Sequence, residues 1–528
     1  MAKDWEIDND VELRSARDPT APIKSAVNIS SNDAYELARI GKKEVLKRRF
    51  GLTSTVGFAC SLMLTWEAVI MNIALGLTNG GPAGLVYGYI GVWIGMISVF
   101  ISMGELASMM PSAGGQYHWV SILAPNSSKQ FLSHVTGSIC IIAWTAAPTA
   151  AIYLAASVLQ STIAMNIPSY APEGWQVTLM MWAVFALCTV LNTWLGIILP
   201  VIEVLILLVH VLGFFAVLIP LVYLGPKASA KSVFTTSFDY GGWNDLTLAT
   251  FVGLKGTVAA FVGTDGAVHM AEEVANSSRV VPRSMLSAII INGTMGFAIL
   301  IAFLFTAGDL VSIIESNASY PFMYILASST QSMGAAVVLS SMMAVLQACA
   351  GLAGISSASR MIWAFARDQA IPGWRWVRQV NQRTLVPFRS TCIVVITGCL
   401  LSLINIGSSV VLNIILSLVL EAFFASYLIS LSLLFYRRLR GDISESGSET
   451  PFTWGPFRIN GWVGTVNNAF AIAFSIIMMF FGCWPPENHP PPEKVNYSIA
   501  IFVGVTLLSI LYYVAYARKS YRGPTIEI

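Results

Sequence analysis

The chain has 528 residues, of which 55% are apolar and only 11% charged, with 30 basic side chains against 28 acidic ones. A soluble domain of this length carries about 25% charged residues to wet its surface, so much of this surface must face lipid. No Gly-x-x-x-x-Gly-Lys-[Ser/Thr] phosphate loop and no His-Glu-x-x-His motif is present, and no nucleophile–base set stands out among five histidines. The expectation is a non-enzyme without cofactor, metal or nucleic-acid partner.

In chain order, residues 1–50 read as a solvated cytoplasmic arm. It ends in the basic cluster Arg39, Lys42, Lys43, Lys47, Arg48 and Arg49 and carries no cleavable signal. Apolar runs then recur, each close to the ~20 residues that cross hydrocarbon as a helix. They span 54–78, 84–104, 132–160, 176–197, 200–224, 248–270, 285–307, 334–363, 388–405, 409–435, 463–483 and 497–517. The seven cysteines lie in or beside these runs without paired spacing, which argues against disulfides and zinc.

With both termini cytoplasmic, only Lys227, Lys231 and Lys494 of the basic residues fall in outer loops, and Lys255 lies inside a span. The rest gather on one side, as the positive-inside rule requires for an even number of spans. Tryptophans such as Trp175, Trp376 and Trp462 fall near span ends, at headgroup depth. Asn317-Ala-Ser319 is a possible outer-loop glycosylation site, and Pro485–Pro492 reads as a stiff outer connector.

Charges inside spans cost at least about 2.5–3.5 kcal/mol unless paired or hydrated, so they mark candidate function. They are Glu67 in the first span, Glu203 and His210 in the fifth, Lys255 and Asp265 in the sixth, and Glu421 in the tenth. Glu67 follows Thr65 and Trp66 and precedes Ala68; its bland alternative is an ion pair with Lys255. Asp265 lies in the run Phe261, Val262, Gly263, Thr264, Asp265, Gly266, whose two glycines weaken helix, and its alternative is a gate residue. Glu203 and His210 share one helix face and can serve either as proton carriers or as interhelical hydrogen-bond partners.

Interruptions in spans one and six are the pattern of an inverted repeat with its site at the midplane. Four segments carry a resemblance. Glu105-Leu-Ala-Ser-Met-Met-Pro111-Ser-Ala-Gly114-Gly115-Gln116-Tyr117-His118 resembles the signature loop of the amino acid–polyamine–organocation transporters. Asn79-Gly80-Gly81-Pro82, Gly263-Thr-Asp265-Gly-Ala-Val-His269-Met-Ala-Glu272-Glu273 and Ser356-Ser-Ala-Ser-Arg360 through Arg367-Asp368 are similar to its fungal branch of GABA and choline permeases. First helices of the wider superfamily often hold a Gly-x-Gly break, which Leu64–Ala68 lacks.

The resemblance implies an all-α, LeuT-type membrane fold. A first five-helix repeat would span 51–225 and an inverted second repeat 226–440. Two extra helices would occupy 441–517, with a cytoplasmic tail from 518 to 528. It also implies uptake of an amine-bearing solute by alternating access, commonly with protons, across a plasma or organelle membrane. The expected substrate site is Thr65, Trp66, Glu67, Ala68, Phe261, Val262, Gly263, Thr264 and Asp265. In it Glu67 or free carbonyls hold the ammonium, and Trp66 and Phe261 form aromatic walls. Proton-coupling candidates are Glu203, His210, Lys255 and Glu421, with Glu67 and Asp265 also open. Sodium at Ser356 and Ser357 is the lesser alternative. A nutrient-sensing transceptor, or a polyamine or vitamin-precursor carrier, is the rival function.

Overall fold

The computed structural model describes residues 37–43, 45–310, 320–381, 386–407, 411–445, 452–491 and 495–525. Residues 1–36 of the arm and the Asn317 site lie outside them. Among the described residues, eleven helices are long and apolar enough to cross a membrane. They include α4 (Gly81–Met109), α6 (Lys129–Asn166), α7 (Gly174–Thr193), α8 (Leu199–Leu224), α11 (Ser277–Thr306), α12 (Met333–Arg367), α13 (Phe388–Gly407), α14 (Val411–Leu439), α15 (Gly461–Gly482) and α16 (Ser498–Ser520). The outward face of α8 shows why lipid is the solvent: Leu205, Leu208, Leu212 and Phe215 are all exposed. The chain is an integral, multi-pass membrane protein.

The first predicted span is interrupted. Helix α1 (Leu52–Met63) stops at Leu64, and α2 (Thr65–Met71) starts beyond it, followed by α3 (Ile73–Thr78). Leu64 takes a left-handed conformation, φ 41°, which is uncommon for a residue with a Cβ. The Thr65 N–H donates to Asn292 Oδ1 on α11 at 3.2 Å. A side chain from another helix thus takes a donor that the broken ladder leaves open.

The sixth span is held by the shorter apolar helix α9 (Leu246–Ala259), separated by Ala260–Asp265 from the single turn α10 (Gly266–His269). Gly263 has φ 101°, a backbone state open to glycine. Gly266 lets Trp144 approach, because a Cβ there would stand 2.6 Å from its ring.

Helix α6 packs along α12, α4 along α11, and α14 along α6. α1 and α2 lie against α8 and α11, so the two interruptions meet inside this cage. α5 (Gln116–Leu123), within the signature-like loop, packs on α6 and α14. The basic cluster is only partly the solvated arm expected: Lys42 is buried.

Candidate functional site

The interruptions are stitched together directly. Thr65 Oγ1 donates to the Ala260 carbonyl at 2.8 Å, and Thr264 Oγ1 lies 2.6 Å from Met63 Sδ. All four residues are buried. Beside this joint lies a cavity of about 70 Å³, several times the ~10–15 Å³ that one water needs by the same measure.

Its walls come from α1, α2, α6, α12, α14 and the sixth-span break. They include Leu62, Met63, Ala68, Asn72, Trp144, Pro148, Val262, Gly263, Gln347 and Phe423. No charged side chain lines it. Three neutral polar atoms on its walls are buried and have no hydrogen-bond partner among the described residues: Asn72 Oδ1, Trp144 Nε1 and Gln347 Nε2. An unmet buried donor or acceptor costs about 1–3 kcal/mol, and the residues lining the cavity carry one such acceptor and two such donors. The indole of Trp144 stands edge-on to Phe423, ring centroids 5.2 Å apart, giving an aromatic corner.

Of the nine expected substrate residues, Ala68, Val262 and Gly263 line this cavity and the other six do not. Trp66 turns to α8, stacked on His210 and edge-on to Phe214. Phe261 packs on Tyr89 at 5.1 Å. The aromatic side chains that line this cavity are Trp144 and Phe423. Asp265 is satisfied elsewhere: Gln116 Nε2 donates to one carboxylate oxygen at 2.7 Å and the Tyr427 hydroxyl to the other at 2.6 Å.

Glu67 also points away from the cavity. Its Oε1 lies 2.7 Å from His210 Nδ1, with both side chains fully buried. The pairing with Lys255 does not form. Lys255 donates to Asn413 Oδ1 at 3.0 Å and to the Trp484 carbonyl at 2.6 Å. Residue 67 sits on the α2 face toward α8, whereas Lys255 faces α14 and the connector. Glu203 accepts from Ser61 Oγ at 2.6 Å, so both polar groups of α8 meet the first span. Glu421 accepts from Ser498 Oγ at 2.5 Å. Of the serines considered for sodium, Ser356 donates to Asn192 Oδ1 and Ser357 to the Gly266 carbonyl at 3.2 Å.

Toward the face that carries the basic loops, buried ion pairs tie α12 and the residue after it to the segments before α1 and after α10. Lys42 Nζ lies 2.6 Å from Asp368 Oδ1, and the Tyr117 hydroxyl donates to Asp368 Oδ2 at 2.9 Å. The Thr525 N–H donates to the same carboxylate at 3.0 Å. Arg367 grips Glu272 with two bonds of 2.8 and 3.0 Å, and Arg360 Nε donates to Glu273 at 2.8 Å. Burial alone raises a carboxyl pKa, but Arg367, aided by Lys42 and the Ala113 N–H, holds Glu272 below the ordinary carboxylate range. Burial, reinforced by Lys42 and Arg367, pushes His118 down to about 3. Its neutral ring shares a 2.5 Å hydrogen bond with Ser112 Oγ. On the opposite face, the connector packs down onto the helix ends: Asn79 Nδ2 donates to the Pro486 carbonyl at 2.8 Å.

The chain is similar over most of its length to fungal permeases. It is 27% identical to a choline transporter of Saccharomyces cerevisiae, across 90% of this chain and 83% of the relative. It is also 27% identical to a GABA-specific permease of the same yeast, across 94% and 87%, and 24% identical to amino-acid permease 2 of Neurospora crassa, across 97% and 92%. The amino acid permease family profile matches residues 50–505. The chain belongs to the amino acid permease family.

Proposed function

We propose that this protein is a secondary active transporter that moves a small amine-bearing solute, of the amino acid, GABA or choline class, by alternating access. It would be built as two inverted five-helix repeats with two added helices and cytoplasmic termini. The observation that carries the reading is the neutral cavity at the meeting of two broken helices, with Asn72, Trp144 and Gln347 presenting unmet polar atoms.

The chemistry of the walls sets the roles. Trp144 Nε1 and Gln347 Nε2 donate to an anionic or hydroxyl end of the solute, and Asn72 Oδ1 accepts from an ammonium or hydroxyl. The Trp144–Phe423 corner receives a cationic head through cation–π attraction of about 0.5–2 kcal/mol. The ion pairs around Asp368, Glu272 and Glu273 form the barrier that must part to release solute on the basic face.

Glu67 and His210 are the proposed proton carriers. The carboxylate and the imidazole lie 2.7 Å apart, within reach of a shared proton, and Glu67 sits on the same short helix whose Ala68 touches the cavity. Protonation there can bias the first-span break without the proton meeting the solute.

Uptake of labelled GABA, choline and amino acids into proteoliposomes, with and without an imposed pH gradient, tests the reading. Gradient-driven accumulation of at least one amine is the expected result. Binding without counterflow for every solute would contradict it.

A further inference from the structure

The loop between α14 and α15, on the basic face, builds a polar crevice of about 430 Å³ remote from the solute cavity. Two arginines line it. The Arg438 side chain is 7% exposed and lies against the Trp454 ring at 4.6 Å. Its Nη2 is held by Glu105 Oε1 at 2.7 Å, but its Nη1 is buried without a partner. Gly464 leaves room for this guanidinium, since a Cβ there would stand 2.0 Å from Nη1.

Gly464 lies in the first turn of α15, and Asn460, Gly461 and Thr465 line the same crevice. The helix start has no side-chain cap, so its leading N–H groups and the positive end of its dipole face the arginines. Arg458 Nη2 contacts both oxygens of Glu445 at 3.0 Å, while Glu445 is 84% exposed. A surface carboxylate therefore sits where a stronger anion can replace it at little cost.

We propose that this crevice binds a phosphate group. Arg458 and Arg438 would supply charge and fork geometry, and the α15 start would supply backbone donors. The position, between the ends of two membrane helices on the basic face, suits either the phosphate of an anionic lipid headgroup or free phosphate. Glu105 ends α4 just before the loop that bears Gln116 and Tyr117, so an anion that fixes Arg438 also steadies the closed basic face.

The test is thermal unfolding of the purified full-length protein in detergent, titrated separately with inorganic phosphate, at constant ionic strength, and with a short-chain phosphatidylinositol phosphate. A saturable rise in Tm is expected, with apparent affinity roughly tenfold weaker in Arg458→Gln. Affinity should be several-fold tighter in Glu445→Gln, which removes the competing carboxylate. A rise with both probes assigns free phosphate, and a rise with the lipid alone assigns the headgroup. The absence of a saturable rise with either probe overturns the proposal, as does a rise indifferent to Arg458→Gln and Glu445→Gln.

Discussion

His210 Nδ1 on α8 stands 2.7 Å from Glu67 Oε1 on α2, and neither side chain touches solvent. Five residues, about 1.4 helical turns, separate Glu67 from Asn72 on the cavity wall. The pair and the cavity wall therefore share one short helix without sharing a surface.

If this pair carries the proton, Glu67→Gln removes coupling but not recognition. Accumulation driven by a pH gradient should fall at least tenfold, while solute counterflow, which needs no net proton movement, stays within about threefold of the parent. Equal loss in both assays would return Glu67 to a binding role.

The joint between the breaks depends on one hydroxyl. Thr65→Val deletes the bond to the Ala260 carbonyl and leaves a buried acceptor unmet, costing about 1–3 kcal/mol. A lower Tm and slower counterflow are expected, with Thr65→Ser retaining both. If Thr65→Val behaves as the parent, the stitch is incidental.

The Lys42–Asp368 pair should show the cost of stranding a buried charge. Asp368→Asn leaves the Lys42 ammonium without its counter-ion, and breaking such a pair costs about 3–5 kcal/mol. Thermal stability in detergent should drop sharply and recover in part when Lys42→Met is added. No recovery in the double variant would mean that Tyr117 and Thr525, not the ion pair, dominate at this carboxylate.

His118 gives the basic face a pH dependence with a definite sign. Its folded pKa, about 3, lies below the ordinary 6.5, so below pH 6.5 the unfolded chain binds the extra proton. Stability is then lost as pH falls from 6.5 toward 3, with a slope of up to about 1.4 kcal/mol per pH unit. Glu272, held below its ordinary pKa, adds no loss until more acid conditions. Melting between pH 7 and 5 should show a shallower fall in His118→Gln than in the parent.

The spans were legible because long apolar runs in lipid leave little freedom of assignment: eleven of the twelve expected runs hold a membrane-length helix among the described residues, and the sixth holds the shorter Leu246–Ala259. The sixth-span break was legible too, from Gly263 and Gly266. The first was legible only through Glu67, because the turn is at Leu64, where no glycine signals it and Asn292, 227 residues away, takes up the released donor.

The neutral polar residues of the cavity wall escaped sequence reasoning for a physical reason. Asn72, Trp144 and Gln347 carry no charge, so they raise no insertion cost that would single them out among apolar neighbours. The charges that did stand out each bond to residues outside the cavity, although Glu67 Oε2, Glu203 Oε1, His210 Nε2 and Glu421 Oε2 are buried without a partner among the described residues. Glu67 and Ala68 differ by about 100° around a helix of 3.6 residues per turn, enough to send one to α8 and the other to the cavity. Residues of the recognised motifs, Glu272, Glu273, Arg360 and Arg367, were visible as motifs. Their pairing across 87 and 95 residues emerges only with the fold.

The most direct test of the central claim is counterflow of the transported amine in proteoliposomes bearing Gln347→Ala, with Lys231→Gln, at an exposed position, as a remote control. Loss of the unmet donor should weaken the apparent solute affinity roughly tenfold while the control matches the parent. An unchanged affinity in Gln347→Ala would place the solute somewhere other than between the two broken helices.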